Sequence, residues 1–173
     1  KKSIIELLII RGGMKMKTAV VYYSLEGNTK FVATQIAKEM GVDLLELQPV
    51  KKYATSGPMK YVVGGKDAVT GKKPELEPYS FQKENYDLII IGTPVWASVC
   101  APPIRTFLTT ENLSGKKIAF IACCGGGGTK KCFEQMTEIA HAKNPLTLDL
   151  VDPFTKNKPE NIVAIKNFCA KLG

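Results

Sequence analysis

The chain has 173 residues, 45% hydrophobic and 23% charged, an ordinary globular composition that predicts one domain with a full core. Its formal net charge is +8, but the lysines are scattered and only two arginines, Arg11 and Arg105, are present. The net charge predicts a basic surface. The scattered lysines and the scarcity of arginine argue against a nucleic-acid partner. The five cysteines form neither a disulfide framework nor a zinc motif, so we expect reduced thiols in a cytoplasmic protein.

The first fifteen residues differ from the rest of the chain. The apolar run over residues 4–10 is interrupted by Glu6, is too short to span a membrane, and is followed by no signal-peptide cleavage site. Met14 and Met16 stand directly before the first strand pattern. We expect residues 1–15 to be an N-terminal extension or a cloning remnant, with an interface strand or helix as the alternative, and residues 16–173 to form the domain.

From Lys17 onward, buried apolar runs alternate with amphipathic patterns. A continuous apolar, β-branched run predicts a strand over 18–23, and further runs of mainly apolar residues predict strands over 43–47, 86–91, 117–122 and 146–151. Apolar residues at helical spacing predict helices over 29–40, 102–110, 130–142 and 161–172. The Gly- and Pro-rich stretch 48–84 contains one short helical segment, residues 58–69. This alternation predicts a parallel sheet between two layers of helices.

Three unusual loops follow the first, third and fourth predicted strands. Their sequences are SLEGNT, TPVWASVCAPP and CCGGGGT. Ligands of open α/β sheets bind outside the carboxyl ends of the strands, and these loops would meet at that edge. The three loops together predict a binding site.

The first loop has the chemistry of a phosphate site. Ser24 and Thr29 offer hydroxyl groups, Asn28 offers an amide, and Gly27 lets the backbone approach a ligand at a helix N-terminus. Ordinary capping of that helix is the alternative interpretation. No GxGxxG follows the first strand, and the glycine run after the fourth strand lacks the Gly-Lys-Ser/Thr order of a Walker loop. Dinucleotide and triphosphate sites are therefore not supported.

The other two loops leave more than one interpretation open. Trp96, the only tryptophan, either stacks on a flat ring or caps the core. The pair Cys123-Cys124 suggests a redox dithiol, although small buried hydrophobes explain it better. A hydrolase is not supported, because His141 is the only histidine and lies nine residues from Cys132, on the opposite face of one predicted helix. We expect His141 to be a polar helix-end residue, and no His/Asp/Glu cluster suggests a metal.

With these loops, the sequence resembles the flavodoxin family. The likeness runs from Met16 to the end and rests on YYSLEGNT, IIIGTPVWASVCAPPIRTFL and the loop from Cys124 to Thr129. It implies a three-layer, doubly wound, five-stranded parallel α/β fold of order 2-1-3-4-5 that binds FMN where strand order reverses. The implied phosphate residues are Ser24, Leu25, Glu26, Gly27, Asn28 and Thr29. The implied ring-binding residues are Thr93, Pro94, Val95 and Trp96 on one side, and Cys124, Gly125, Gly126 and Gly127 on the other.

The sequence departs from the typical family pattern in four ways. Glu26 stands where most members have Thr or Ser, and we expect its side chain to turn away from the phosphate while its N–H contributes. The loop after strand three has no glycine, and because other residues resist positive φ we expect it to resist the peptide flip that assists one-electron reduction. The glycine loop lacks the aromatic that usually covers the outer ring face, which suits an enzyme stacking a nicotinamide or quinone there. The chain is basic, whereas flavodoxins are typically acidic.

Three functions fit these features. The first is an FMN electron carrier in electron transport; the second is an NAD(P)H-dependent FMN oxidoreductase acting on quinones or other small acceptors; the third is a flavodoxin-like domain that has lost FMN. The expected partner is a redox protein with an acidic surface or a small-molecule acceptor, with no membrane span and a monomeric or homodimeric state. Arg105 is expected in a surface ion pair, and the 48–84 insert, with Tyr53 and Tyr61, is expected to form a lid or to be disordered.

Overall fold

The computed structural model describes residues 16–156 and 158–173, without the side chains of Lys60 and Tyr61. The predicted extension over residues 1–15 lies outside the described residues. The strands are β1 (Thr18–Tyr22), β2 (Asp43–Glu46), β3 (Leu88–Trp96), β4 (Val99–Cys100), β5 (Lys117–Cys124) and β6 (Leu146–Val151). The helices are α1 (Asn28–Met40), α2 (Met59–Val69), α3 (Pro102–Thr110), α4 (Thr129–Ala140) and α5 (Pro159–Leu172), with a 3₁₀ turn at Lys83–Asn85.

Five of these strands form a parallel sheet in the order β2-β1-β3-β5-β6. In the centre of the sheet, Val20 of β1 pairs with Ile90 of β3, which pairs with Ala119 of β5. The predicted order 2-1-3-4-5 is confirmed, since β5 and β6 are the fourth and fifth predicted strands. The short strand β4 was not predicted, and it pairs antiparallel with the end of β3.

Helices cover both faces of the sheet, as the fully apolar strands require. Val32 and Ile36 of α1 pack with Phe168 of α5 on one face. Ile104 and Phe107 of α3 pack with Met136 of α4 on the other. The central residues Ile89, Ile90 and Ile91 are completely buried between these layers. The predicted three-layer α/β class is therefore confirmed.

The long insert contains the short helix that the sequence suggested. It folds back on itself, because Val50 N donates to Glu75 O at 3.0 Å and Glu77 N donates to Gln48 O at 2.7 Å. Tyr53 Oη and Lys72 Nζ both donate to the Asp67 carboxylate, at 3.1 and 2.9 Å. These bonds hold α2 against the segments before and after it, so the described part of the insert is ordered and the disordered alternative is wrong.

Helix α4 ends two residues earlier than predicted. His141 takes the left-handed conformation, with φ 50°, and closes the helix after Ala140. His141 is exposed and Cys132 is buried, so the two side chains lie on different sides of the helix, as predicted.

The expectation of a surface ion pair for Arg105 is wrong. Its side chain is only 8% exposed, and its Nε has no hydrogen-bond partner among the described residues. The insert covers it: a Cβ placed on Gly71 would lie 2.8 Å from Nη1 of Arg105, and Thr106 Oγ1 donates to Pro74 O at 2.8 Å. Burial raises the pKa of the neighbouring Cys100 thiol to about 11, against a smaller lowering by the Arg105 charge.

Candidate functional site

A cleft of about 360 Å³ opens at the carboxyl ends of β1, β3 and β5. The three predicted loops converge there, where β1 and β3 send their chains to opposite faces of the sheet. Its volume is in the range of small-molecule sites. The cleft is lined by Ser24, Leu25, Glu26, Asn28, Thr29, Gly65, Pro94, Val95, Trp96, Ala97, Cys123, Cys124, Gly125 and Asp152.

The start of α1 faces this cleft with open hydrogen-bonding capacity. Gly27 is the N-cap residue in the left-handed conformation, with φ 90°, and no side chain of the described residues caps the helix. The first helical bond runs from Phe31 N to Gly27 O, at 2.8 Å. The N–H groups of Asn28 and Thr29 therefore precede the helical ladder, where the helix dipole also favours an anion. Gly27 itself does not line the cleft; it supplies the turn.

Thr29 carries a second signal for a ligand. Its side chain is 1% exposed, and its hydroxyl oxygen has no hydrogen-bond partner of good geometry in the described residues. Burial raises the pKa of the neighbouring Cys123 thiol, and a contact with the Thr29 hydroxyl lowers it by a smaller amount. Buried hydroxyl groups are nearly always hydrogen-bonded, so a group that lines a cleft without a partner suits a bound acceptor.

A fourth loop, which the sequence did not indicate, supports the first. Phe154, in the turn after β6, donates its N–H to Asn28 Oδ1 at 2.9 Å, and a Cβ placed on Gly27 would lie 3.3 Å from the Phe154 ring. Because the Asn28 oxygen is occupied, its amide nitrogen is the group left for a ligand. Asp152 of the same turn lines the cleft and pairs with Lys156 at 3.0 Å.

The second loop is a tight hairpin rather than an open loop. Val95 pairs with Cys100 and Trp96 with Val99, which leaves Ala97 and Ser98 as a two-residue turn. Both have positive φ, 49° and 66°, as a type I′ turn requires. The expectation that non-glycine residues would keep this loop from positive φ is therefore wrong, since the hairpin pairing holds both residues there. A Cβ on Gly128 would lie 2.6 Å from Ser98 Oγ, so the turn packs directly on the glycine loop.

Trp96 is held at the rim of the cleft by other aromatic side chains. Its ring lies edge-on to Tyr53, with centroids 4.9 Å apart, and edge-on to Tyr23, at 5.8 Å. A Cβ on Gly64 of α2 would lie 3.2 Å from the ring. Trp96 thus packs against the core side and also lines the cleft, so both of its predicted roles are compatible with its position. Burial raises the pKa of both tyrosines, and Asp67 adds to this effect for Tyr53.

The remaining predicted residues divide between the cleft and its support. Thr93 is fully buried, accepts the Ala101 N–H at 3.0 Å and does not line the cleft. Cys123 and Cys124 are buried free thiols, and desolvation raises the pKa of Cys123 to about 12. This environment favours the interpretation as small hydrophobes over a redox dithiol.

The glycine loop contributes less of the cleft wall than predicted. Gly125 lines the cleft, whereas Gly126 and Gly127 are exposed beside it with open space around them.

The part of the chain that the structure describes has no helix long and apolar enough to cross a membrane. Within the same residues, no group of three or more His, Cys, Asp or Glu side chains is placed to hold a metal ion.

This chain belongs to the flavodoxin family, because the flavodoxin family model matches residues 17–147. The FMN complex of the flavoprotein from Lactobacillus acidophilus NCFM is 26% identical, over 82% of this chain and 97% of its own, with a TM-score of 0.66. The apo-form NMR structure of the flavoprotein from that organism is 30% identical, over 83% and 98%, with a TM-score of 0.61.

Oxidised flavodoxin 2 from Bacillus cereus shares the fold, at 19% identity over 89% of this chain and 95% of its own, with a TM-score of 0.54. No curated protein sequence matches the chain significantly.

Proposed function

We propose that the cleft binds FMN and that the protein is a flavodoxin-like electron carrier. The observation that carries this proposal is the uncapped start of α1 beside the buried, unpartnered hydroxyl of Thr29. A dianionic phosphate would accept hydrogen bonds from both and would be favoured by the helix dipole. The FMN complex of the 26% identical Lactobacillus flavoprotein supports the choice of ligand.

The rest of the cleft suits the flat ring of a flavin. Trp96 and Ala97 form one wall, and Cys124 with Gly125 forms the other. The bound flavin would supply the electron-transfer chemistry. The chain would hold the phosphate at Asn28 and Thr29, orient the ring against Trp96, and exclude water from its inner edge. Glu26 is an exposed residue at the same loop, and the outward orientation of its side chain stays a prediction.

The alternative is an NAD(P)H-dependent FMN oxidoreductase. Gly126 and Gly127 favour it, because open space surrounds them where many family members place an aromatic over the ring. A second flat molecule, such as a nicotinamide or a quinone, would then have access to the outer face.

As a carrier, the basic protein would need a partner with an acidic surface. A cytoplasmic location and a monomeric or homodimeric state remain part of the proposal.

Titration of flavin-free protein with FMN tests the proposal. Binding should quench flavin fluorescence and shift its visible spectrum, whereas no change at any FMN concentration would refute both flavoprotein functions and favour the domain without FMN. Reduction of the loaded protein then separates the two. Two resolved one-electron steps with dithionite and no reaction with NAD(P)H support the carrier; rapid bleaching by NAD(P)H in one two-electron step supports the oxidoreductase.

A further inference from the structure

A second groove of about 430 Å³ lies beside the cofactor cleft, and the proposed function does not use it. We call it the insert groove, because every described residue that lines it belongs to the 48–84 insert. Its walls are the segment Val50–Ala54, the exposed start of α2, and the segment after α2. The lining residues are Val50, Lys51, Lys52, Tyr53, Ala54, Met59, Val63, Asp67, Lys72, Lys73, Pro74 and Glu75.

The surface of the insert groove is apolar and open to solvent. Val50 is 49% exposed, Met59 is 57% exposed and Val63 is 41% exposed. Large apolar side chains that gather in a concave site, instead of lying singly on the surface, mark a place where apolar ligands bind. The groove therefore has the shape and chemistry of a small-molecule site.

The charge around the groove is positive. Asp67 is already neutralised, since Lys72 Nζ lies 2.9 Å from its carboxylate and Tyr53 Oη also donates to it. The salt bridges of the described residues include none to Lys51, Lys52 or Lys73. Three exposed cations thus face one remaining carboxylate, Glu75, around an apolar surface. An apolar molecule that carries a negative charge complements this arrangement.

The insert groove also touches the wall of the cofactor cleft. Tyr53 lines the groove, and its ring lies 4.9 Å from the ring of Trp96, which lines the cleft. Helix α2 is shared in the same way, with Val63 in the groove and Gly65 in the cleft. One aromatic layer separates the two cavities.

We propose that the insert groove is a binding site for a small apolar anion, such as an aromatic carboxylate. The lysines attract its charge, while Val50, Met59 and Val63 contact its ring. Such a ligand would sit one aromatic layer from the cofactor cleft, which is a suitable place for a substrate or an effector. Among the described residues the insert alone builds the site, so we expect it to bind its ligand without FMN.

Chemical-shift mapping by ¹H–¹⁵N NMR of the full chain tests this site, with 2-naphthoate as the probe and uncharged 2-naphthalenemethanol as its matched control. Naphthoate should shift the amides of residues 50–54, 59–63, 72, 73 and 75, with or without added FMN. Its affinity should fall with added salt, and the alcohol should bind about tenfold more weakly, because the lysine attraction is screened or absent. No binding, shifts centred elsewhere, or equal affinity for the two probes would overturn the proposal.

Two pairs of variants sharpen the test. The double variant Lys51→Glu/Lys73→Glu should weaken naphthoate binding about tenfold. Lys143→Glu, a charge reversal in an exposed loop at the other edge of the sheet, should leave it unchanged. Val63→Glu should abolish binding, whereas Val62→Glu, on the same helix but outside the groove, should not. Equal effects within either pair would contradict the site. Because these experiments need no flavin, a failure of FMN binding would leave their outcome readable.

Discussion

Replacement of Thr29 by valine should change stability and FMN affinity in opposite directions. Valine has nearly the same shape as threonine and keeps its methyl group. That methyl group packs against Gly92, since a Cβ placed on Gly92 would lie 3.1 Å from Thr29 Cγ2. Only the buried hydroxyl is lost. An unsatisfied buried hydroxyl costs about 1–3 kcal/mol, and the weak Cys123 contact offsets part of that cost. We therefore expect Thr29→Val to raise the free energy of unfolding of the flavin-free protein by about 1 kcal/mol, which corresponds to about 2–4 °C in Tm.

The same substitution should weaken FMN binding. A hydrogen bond to a charged phosphate contributes about 1.5–3 kcal/mol, which corresponds to a loss of roughly 10- to 150-fold in affinity. Urea denaturation of the flavin-free protein gives the first quantity, and fluorescence titration with FMN gives the second. Thr29→Ser, which keeps the hydroxyl, is the control and should bind FMN within about threefold of the parent.

The opposite outcome is that Thr29→Val destabilises the flavin-free protein and binds FMN as tightly as Thr29→Ser. That result would mean that the hydroxyl already has a good partner inside the protein and is not available to a ligand.

Three further predictions concern the loops around the cleft. Ala97→Gly should stabilise the protein by about 0.5–1 kcal/mol in urea denaturation. Glycine relieves the strain of the left-handed conformation, about 1–2 kcal/mol, and this gain exceeds the entropic cost of glycine. A loss of stability would show that the turn is unstrained. Gly128→Ala should lower the free energy of unfolding by about 2 kcal/mol or more, since the φ of Gly128 is 81° and the new Cβ would meet Ser98. Gly126→Ala, in open space, is the control and should be nearly neutral. Equal stabilities of the two variants would contradict the packing of the hairpin on the glycine loop. The free energy of unfolding should fall as pH rises from about 9 to about 12, because the Cys123 thiol ionises in the unfolded chain with a pKa near 9.0 but stays protonated in the folded protein up to about 12. Cys123→Ala should show a shallower fall over this range, and identical pH profiles would argue against a buried neutral thiol.

The sheet and most helices could be predicted because their signals are local. Each central strand is a continuous apolar run, and each helix repeats its apolar residues at helical spacing. The order of strands followed from the family resemblance, and the convergence of three loops followed from the parallel topology. Ser24, Trp96 and Gly125 line one cleft for this reason.

The missed features depend on contacts between distant parts of the chain. Phe154 bonds to Asn28 across 126 residues, and nothing near either residue announces the contact. Ala97 and Ser98 take positive φ because β3 and β4 pair around them, against the preference of both residues. Arg105 is buried because the insert folds over α3, which its own sequence neighbourhood does not indicate.

The central claim is that the start of α1 holds the phosphate of FMN. ¹H–¹⁵N NMR of the flavin-free protein tests it most directly, with FMN compared with riboflavin, which has the same ring and no phosphate. FMN should shift the Asn28 and Thr29 amides strongly downfield, and riboflavin, which should bind far more weakly, should not. FMN binding that leaves these two amides unchanged, or equal binding of both flavins, would contradict it.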